Sequence, residues 1–472
     1  MNRFRKELRF RRRLLMVGFG CIGQGVLPLL LRHIDLQPGQ ISILTADEDG
    51  GAVAAEYGVS FAIAPLTAAN LRSLLEPRLC AGDFLLNLSV DVSSVALVEW
   101  CQARGVSYLD TCIEPWAGHH LDASVAVQQR TNYVLREAAL ALRRGRRNGP
   151  TAVLTHGANP GLISHLLKQA LLNLAADTGP STRLPARRED WAQLACDLGV
   201  KTIHIAERDT QVDAQRKRLG EFVNTWSVDA FVGESCQPAE LGWGSHERHF
   251  PPAGRRHPGG CRSSIYLNRP GASTRVRTWT PLTGATEGLL ISLGESIAIS
   301  DYLSIGAGDS PHYRPTVHYA YQPCDDTVLS LQELAARNWQ LQPKKRLLKY
   351  GITAGVDELG VLLMGPAHGA YWYGSQLSIE QARALVPHNS ATSLQVTATV
   401  LAGVVWALEN PNAGIVEPGE MDYRRIVEIA QPYLGAMVGV YTDWTPLAGR
   451  SHLFEEDIDP ADPWQFKNFL VA

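Results

Sequence analysis

From residue 13 to about 130, short apolar runs alternate with stretches whose apolar residues recur at helical spacing. The short runs predict buried strands at 14–17, 40–44, 60–63, 84–88 and 107–109. Amphipathic stretches at 66–76 and 95–104 predict crossing helices, and a longer helix at 132–144 leads into one more short strand at 151–154. Strands alternating with helices in this way predict βαβ units around a parallel sheet. Beyond residue 155 the texture changes. Strand-like runs lengthen and carry more Thr, Trp and Tyr, and 250–263 is a turn cluster of Pro, Gly and Arg between two of them. This half predicts an α+β domain with a mainly antiparallel sheet. Near the C-terminus, 393–410 is an apolar helical run stopped by Pro411.

At 472 residues the chain exceeds a single core and divides into at least two domains. Apolar residues make up 45% and charged residues 19%, an ordinary globular balance. The net charge of −3 gives no reason to expect nucleic acid or an anionic membrane as partner. Basic residues cluster before Arg13 and in Arg143-Arg144-Gly145-Arg146-Arg147, read as a solvated tail and a solvated loop. Eight cysteines lack CxxC spacing, so no metal site is expected, and reduced thiols fit a cytoplasmic enzyme. The apolar stretch at 14–31 follows three arginines and imitates a secretory leader, but Gly18, Gly20, Gly23, Gly25 and Pro28 break it.

Those glycines have a better explanation. Gly18-Phe19-Gly20-Cys21-Ile22-Gly23 fits G-x-G-x-x-G after an apolar strand and at the start of a helix, the setting in which the pattern binds a dinucleotide. The first glycine makes the turn, the second admits the pyrophosphate, and the third lets helix and strand pack closely. Gly18, Gly20, Cys21, Ile22 and Gly23 are therefore expected at the cofactor, in a Rossmann domain. Where a ribose-binding carboxylate usually ends the second strand, Thr45 stands instead, with Asp47 as the nearest replacement. No arginine follows directly, which favours NAD over NADP. Asn87, Ser89, Asp110 and Thr111 end later strands, the edge that lines the crevice of an open sheet, and are expected near the nicotinamide half.

Several stretches in the second half are long and rare. They include Cys112-Ile113-Glu114-Pro115-Trp116, His156-Gly157-Ala158-Asn159-Pro160-Gly161, His204-Ile205-Ala206-Glu207-Arg208-Asp209, Phe222-Val223-Asn224-Thr225-Trp226-Ser227-Val228 and Tyr371-Trp372-Tyr373-Gly374-Ser375. Together they resemble bacterial homospermidine synthases, of the wider saccharopine dehydrogenase-like group, from about Val17 to the C-terminus. The resemblance implies an NAD-binding Rossmann domain over 1–155 and a catalytic and dimerisation domain over 156–472, part of which packs back on the first. It implies a homodimer that joins two putrescines into sym-homospermidine, releasing ammonia, or uses spermidine as aminobutyl donor and releases 1,3-diaminopropane. NAD would stay bound and be regenerated in every cycle.

By the same resemblance Glu114, Glu207, Glu234 and Glu295 match active-site acids, Trp226 a cation-binding tryptophan, and Asn159 a substrate or cofactor contact. The chemistry asks for such residues: a diamine dication needs carboxylates for its ammonium ends, and an indole face attracts a cation. Trp243, Trp372 and Trp444 read as packing residues. The family carries a histidine before the Gly-Glu pair that here reads Leu293-Gly294-Glu295. Leu293 leaves the base unassigned, with His156, His204 and His318 as candidate replacements. Two other readings stand beside this one. A net carboxyspermidine- or saccharopine-type dehydrogenase would need arginines for a carboxylate-bearing substrate, and a silent NAD-binding polyamine sensor would show no turnover.

Overall fold

The computed structural model describes residues 5–143, 148–179, 184–366 and 369–471. Most of the basic run that begins at Arg143 therefore lies outside the described residues. The first half contains β1 (Leu14–Val17), α1 (Cys21–His33), β2 (Ile41–Thr45), β3 (Ser60–Ile63), β4 (Phe84–Asn87), α2 (Ser94–Arg104), β5 (Ser107–Asp110), α3 (Asn132–Ala141) and β6 (Ala152–Val153). The strands run parallel in the order β3-β2-β1-β4-β5-β6, the doubly wound Rossmann arrangement. Helices cover both faces of such a sheet, so β1, β4 and β5 are buried throughout and read as continuous rather than alternating apolar runs. The 66–76 segment is helical only at Leu71–Leu75. Its start is a turn instead, in which Asn70 accepts from the Thr67 N–H and donates to the Pro65 carbonyl.

The second half opens with α4 (Leu162–Thr178), β7 (Thr202–Asp209), β8 (Glu221–Asn224), α5 (Val228–Cys236), β9 (Pro238–Gly242), β10 (Gly254–Arg256) and β11 (Ser264–Pro270). It continues through β12 (Arg275–Thr280), β13 (Gly284–Leu289), α6 (Gly294–Tyr302), β14 (Thr316–Gln322), β15 (Lys344–Leu347), β16 (Val356–Met364) and β17 (Ala370–Ser378). It ends with α7 (Ala391–Glu409), β18 (Ile415–Val416) and β19 (Ala436–Thr442). The large sheet runs β10-β11-β9-β14-β7-β16-β17-β19, with the β12–β13 hairpin joined to β14. Every neighbour pair in it is antiparallel except β7 with β14. Separately, β8 and β15 form a parallel pair.

The two halves share a core. Leu14 and Met16 of β1, Val26, Leu27, Leu29 and Leu30 of α1, Ile203 and Ile205 of β7, and Leu394, Val400, Leu401 and Val405 of α7 belong to one apolar cluster. Helix α7 is long and apolar enough to cross a membrane, yet 89% of its apolar window is buried inside the protein, the mark of a core helix. Just after it, β18 pairs with β6 and extends the Rossmann sheet with a strand from the C-terminal half. Trp243, Trp372 and Trp444 are buried in a second cluster beneath the large sheet, as packing residues.

Candidate active site

The strand-to-helix turn at the top of β1 has the shape a dinucleotide requires. Gly18 sits at φ +84°, and a Cβ there would lie 2.7 Å from backbone atoms of Leu88 and Ser89. Gly20 precedes α1 and has nothing within 4 Å of its Cβ position, so the turn is open where a pyrophosphate would approach. At Gly23 a Cβ would meet the Phe19 ring at 2.9 Å, so this glycine serves helix packing and stays off the cavity. Helix α1 has neither a side-chain cap nor an acid in its first turn, which leaves its N-terminal N–H groups for an anion. At the end of β2, Thr45 and Asp47 line the same cavity. Acids at this end would repel a 2′-phosphate, and among the described lining residues no arginine is present to accept one. These residues fit NAD.

The cavity has a volume of about 690 Å³ and continues from this turn into the second half. There its wall becomes acidic and aromatic. Glu207 projects from β7, Glu234 from α5 and Glu114 from the loop after β5, while Trp226 stands between β8 and α5. Asn159, in the loop between β6 and α4, donates to Glu207 Oε2 at 2.5 Å, and the Tyr319 hydroxyl donates to the same oxygen. Glu114 is anchored through its N–H to Ser94 Oγ at 3.0 Å, and its Oε2 accepts from the Asp91 N–H at 3.5 Å. The Cys112 thiol lies 3.5 Å from Glu234 Oε1. Trp226 packs edge-on against Phe231 with ring centroids 5.4 Å apart, which fixes its plane.

Burial controls the charge of these acids. It pushes the carboxyls of Glu114, Glu207 and Glu234 up to about 8, against partial relief from their hydrogen bonds. Neighbouring carboxyls add to the rise: Asp91 and Asp110 act on Glu114, Asp209 on Glu207, and Glu114 on Glu234. Behind Glu207, Asp209 and Asp357 are also buried and raised, held by Thr225 and Thr392. With no ion-pair partner among the described residues, these acids hold their protons in a low-dielectric site, and an ammonium ligand would favour their charged form.

Of the residues expected from the sequence, Gly18, Gly20, Cys21, Ile22, Thr45, Asp47, Ser89 and Thr111 line the cavity from one side, and Glu114, Asn159, Glu207, Trp226 and Glu234 from the other. Gly23, Asn87, Asp110 and Glu295 do not. Asn87 lies behind the wall and accepts from the Ser89 hydroxyl at 2.5 Å. Asp110 accepts from the Thr155 N–H at 2.6 Å and the Tyr108 hydroxyl at 2.8 Å, tying β5 to the chain after β6. Glu295 accepts from both the N–H and the hydroxyl of Ser164 at 2.7 Å, and so holds the first turn of α4 just beyond the Asn159 loop. There it accepts from an N–H that a helix start leaves without a partner.

The candidate replacement histidines also lie elsewhere. His156 pairs with His165 at 3.1 Å, His204 with Thr278 at 3.0 Å, and His318 packs on Phe466 and Phe469. All three are buried and held neutral, and none lines the cavity. Leu293 is buried in the apolar core. Tyr319, Asp91, Cys112 and Thr392 line the cavity although sequence reasoning passed them over. For Tyr319 a signal existed: the alternation in Thr-Val-His-Tyr-Ala-Tyr-Gln puts Tyr319 and Tyr321 on one face of β14.

Two family descriptions match the chain: Saccharopine dehydrogenase NADP binding domain over residues 14–153, and Saccharopine dehydrogenase C-terminal domain over residues 157–442. Homospermidine synthase of Blastochloris viridis is 52% identical, covering 97% of each chain. Homospermidine synthase of Mesorhizobium japonicum is 49% identical, covering 97% of this chain and 96% of its own. The crystal structure of homospermidine synthase from Legionella pneumophila in complex with NAD superposes with a TM-score of 0.92 at 47% identity, covering 98% of each chain. With a shared fold and near-complete coverage at about half identity, this chain belongs to the homospermidine synthase family.

Proposed function

We propose that the protein joins two molecules of putrescine into sym-homospermidine with release of ammonia, using tightly held NAD and no net redox change. One observation carries this reading: three buried glutamates and Trp226 share a cavity with the dinucleotide turn. Bound NAD supplies a hydride acceptor in the first half of the reaction and a hydride donor in the second. The atoms balance, since two diamines become one triamine and one ammonia.

Glu234 and Glu114 receive ammonium ends, and Trp226 offers its face to a cation, an attraction of about 0.5–2 kcal/mol. Glu207 stands nearest the reacting nitrogen. A hydride can leave only from a carbon bearing a neutral amine, so a base must take the ammonium proton first. With its carboxyl pushed up to about 8, Glu207 has the proton affinity for that task, and Asn159 and Tyr319 orient it. The same carboxyl returns the proton as ammonia leaves. Spermidine enters the same scheme as an aminobutyl donor, and a homodimer is part of the reading, checked by mass in solution.

A net dehydrogenase acting on an amino-acid adduct is disfavoured by the acidic lining, which would repel a substrate carboxylate. The test is purified protein with putrescine and substoichiometric NAD. Homospermidine and ammonia should form in equal amounts over many turnovers, without accumulating NADH absorbance. Stoichiometric NADH would overturn the synthase reading.

A further inference from the structure

Among the described residues that line the cavity, Lys345 is the one cation. Its ammonium lies 2.5 Å from Asp229 Oδ1. Asp229 belongs to the first turn of α5, the helix that also carries Glu234. Lys345 belongs to β15, whose partner β8 leads directly into Trp226. The two side chains are 47% and 54% exposed, whereas Glu114 and Glu207 are buried. The pair therefore stands at the solvent end of a cavity whose inner wall is acidic. Asp91, at the exposed edge of the same wall, feels both partners: its carboxyl is raised by desolvation first and by the Asp229 carboxylate next, while the Lys345 ammonium pulls it down.

An ion pair this exposed contributes little to folding. Its position matters more than its strength. A lysine side chain is four methylenes ending in an ammonium, the same unit that forms the aminobutyl end of putrescine. Lys345 thus presents to Asp229 what the substrate presents, at the point where the substrate must pass. We propose that Lys345 is a displaceable counter-ion at the cavity mouth: it holds Asp229 in the free enzyme, yields that carboxylate to an incoming polyamine ammonium, and so tunes KM according to substrate charge. This inference rests on the polyamine reading above.

Two consequences follow from electrostatics. Removing the lysine charge leaves the mouth more negative and strengthens capture of cations, and a trication gains more than a dication. Because the pair is exposed, added salt screens the effect.

The experiment is steady-state kinetics at low ionic strength, with putrescine and with spermidine, on the holoenzyme. Lys345→Met should lower KM for putrescine by about two- to fivefold and for spermidine by more, while kcat moves far less. Asp229→Asn should raise both KM values, and Lys345→Arg should restore wild-type values. Asp229→Asn carries the test independently should Lys345→Met not fold. Unchanged KM for both amines in Lys345→Met overturns the latch, and so does loss of bound NAD in that variant, which would assign the lysine to the cofactor. A wild-type enzyme that forms no homospermidine overturns the polyamine reading and the latch with it. Turnover by wild type with no shift in the variants overturns the latch alone.

Discussion

The two walls of the cavity are built on opposite principles. On the Rossmann side, the turn from Gly18 to Ile22 offers main-chain N–H groups and empty space where side chains would otherwise stand. On the other side, Glu114 comes from the loop after β5, Asn159 from its own loop, Glu207 from β7, Glu234 from α5 and Tyr319 from β14, so the polar and aromatic groups are gathered from five segments. The first wall is centred on a few consecutive residues that work through absence of side chains, with Thr45, Asp47, Ser89 and Thr111 added from later strand ends. The second is assembled from distant segments and works through the character of the side chains it collects. Changes on the two walls should therefore fail in different ways.

Glu207→Gln should have the largest effect. It removes the base while keeping the shape, and homospermidine formation should fall by about 10²–10⁴-fold with NAD still bound after purification. If that variant loses its NAD as well, the two walls are not independent. Gly18→Ala should do the reverse. A side chain at φ +84° costs roughly 1–2 kcal/mol and meets backbone at 2.7 Å, so NAD retention should drop by at least tenfold, measured by nucleotide release from denatured protein. Trp226→Ala should raise KM for putrescine by about 2- to 30-fold, with Trp226→Phe between, because an attraction of about 0.5–2 kcal/mol is lost.

The pH dependence of stability sharpens the contrast further. A carboxyl at about 8 in the folded chain, against 4.5 ordinarily, binds its proton more tightly folded than unfolded. The stability this gives the ligand-free protein is complete below about pH 4.5 and is lost as pH rises towards 8. Tm should fall over that window, and Glu207→Gln should flatten the slope; a slope unchanged in the variant would place the titration on other groups. The smallest effect belongs to Glu295. Glu295→Gln keeps the oxygen that accepts from Ser164, so Tm should shift by no more than a few degrees and kcat should barely change. A large loss of kcat at unchanged Tm would return Glu295 to the reaction itself.

Glu207 and Glu295 show where sequence reading reached its limit. Both are buried glutamates in family-like stretches, and both carboxyls are raised, to about 8 and about 7. One faces the cavity and the other caps a helix. Nothing in their local sequence separates them, because the difference lies in which element packs in front of each. Tyr319 was missed for the same reason. Its alternation with Tyr321 is visible, but the parallel pairing of β14 with β7 that brings it to Glu207 joins residues more than a hundred positions apart.

The sequence alone determined the parts written in consecutive residues. The strand, glycine turn and helix start at 14–25 follow from steric and dipole rules that act within a few residues, and the split into a parallel and a mainly antiparallel half follows from the change in hydrophobic pattern. The family-like stretches named the acids and Trp226, and five of the six residues expected to act on substrate do line the cavity. The tertiary structure alone decided that α7 is a core helix shared by both halves, that the expected packing back of the C-terminal region takes the form of β18 joining the Rossmann sheet, and that His156, His204 and His318 are shut away from the cavity. Burial and charge are collective properties: a carboxyl's proton affinity depends on every atom that excludes water from it, and those atoms come from the whole chain.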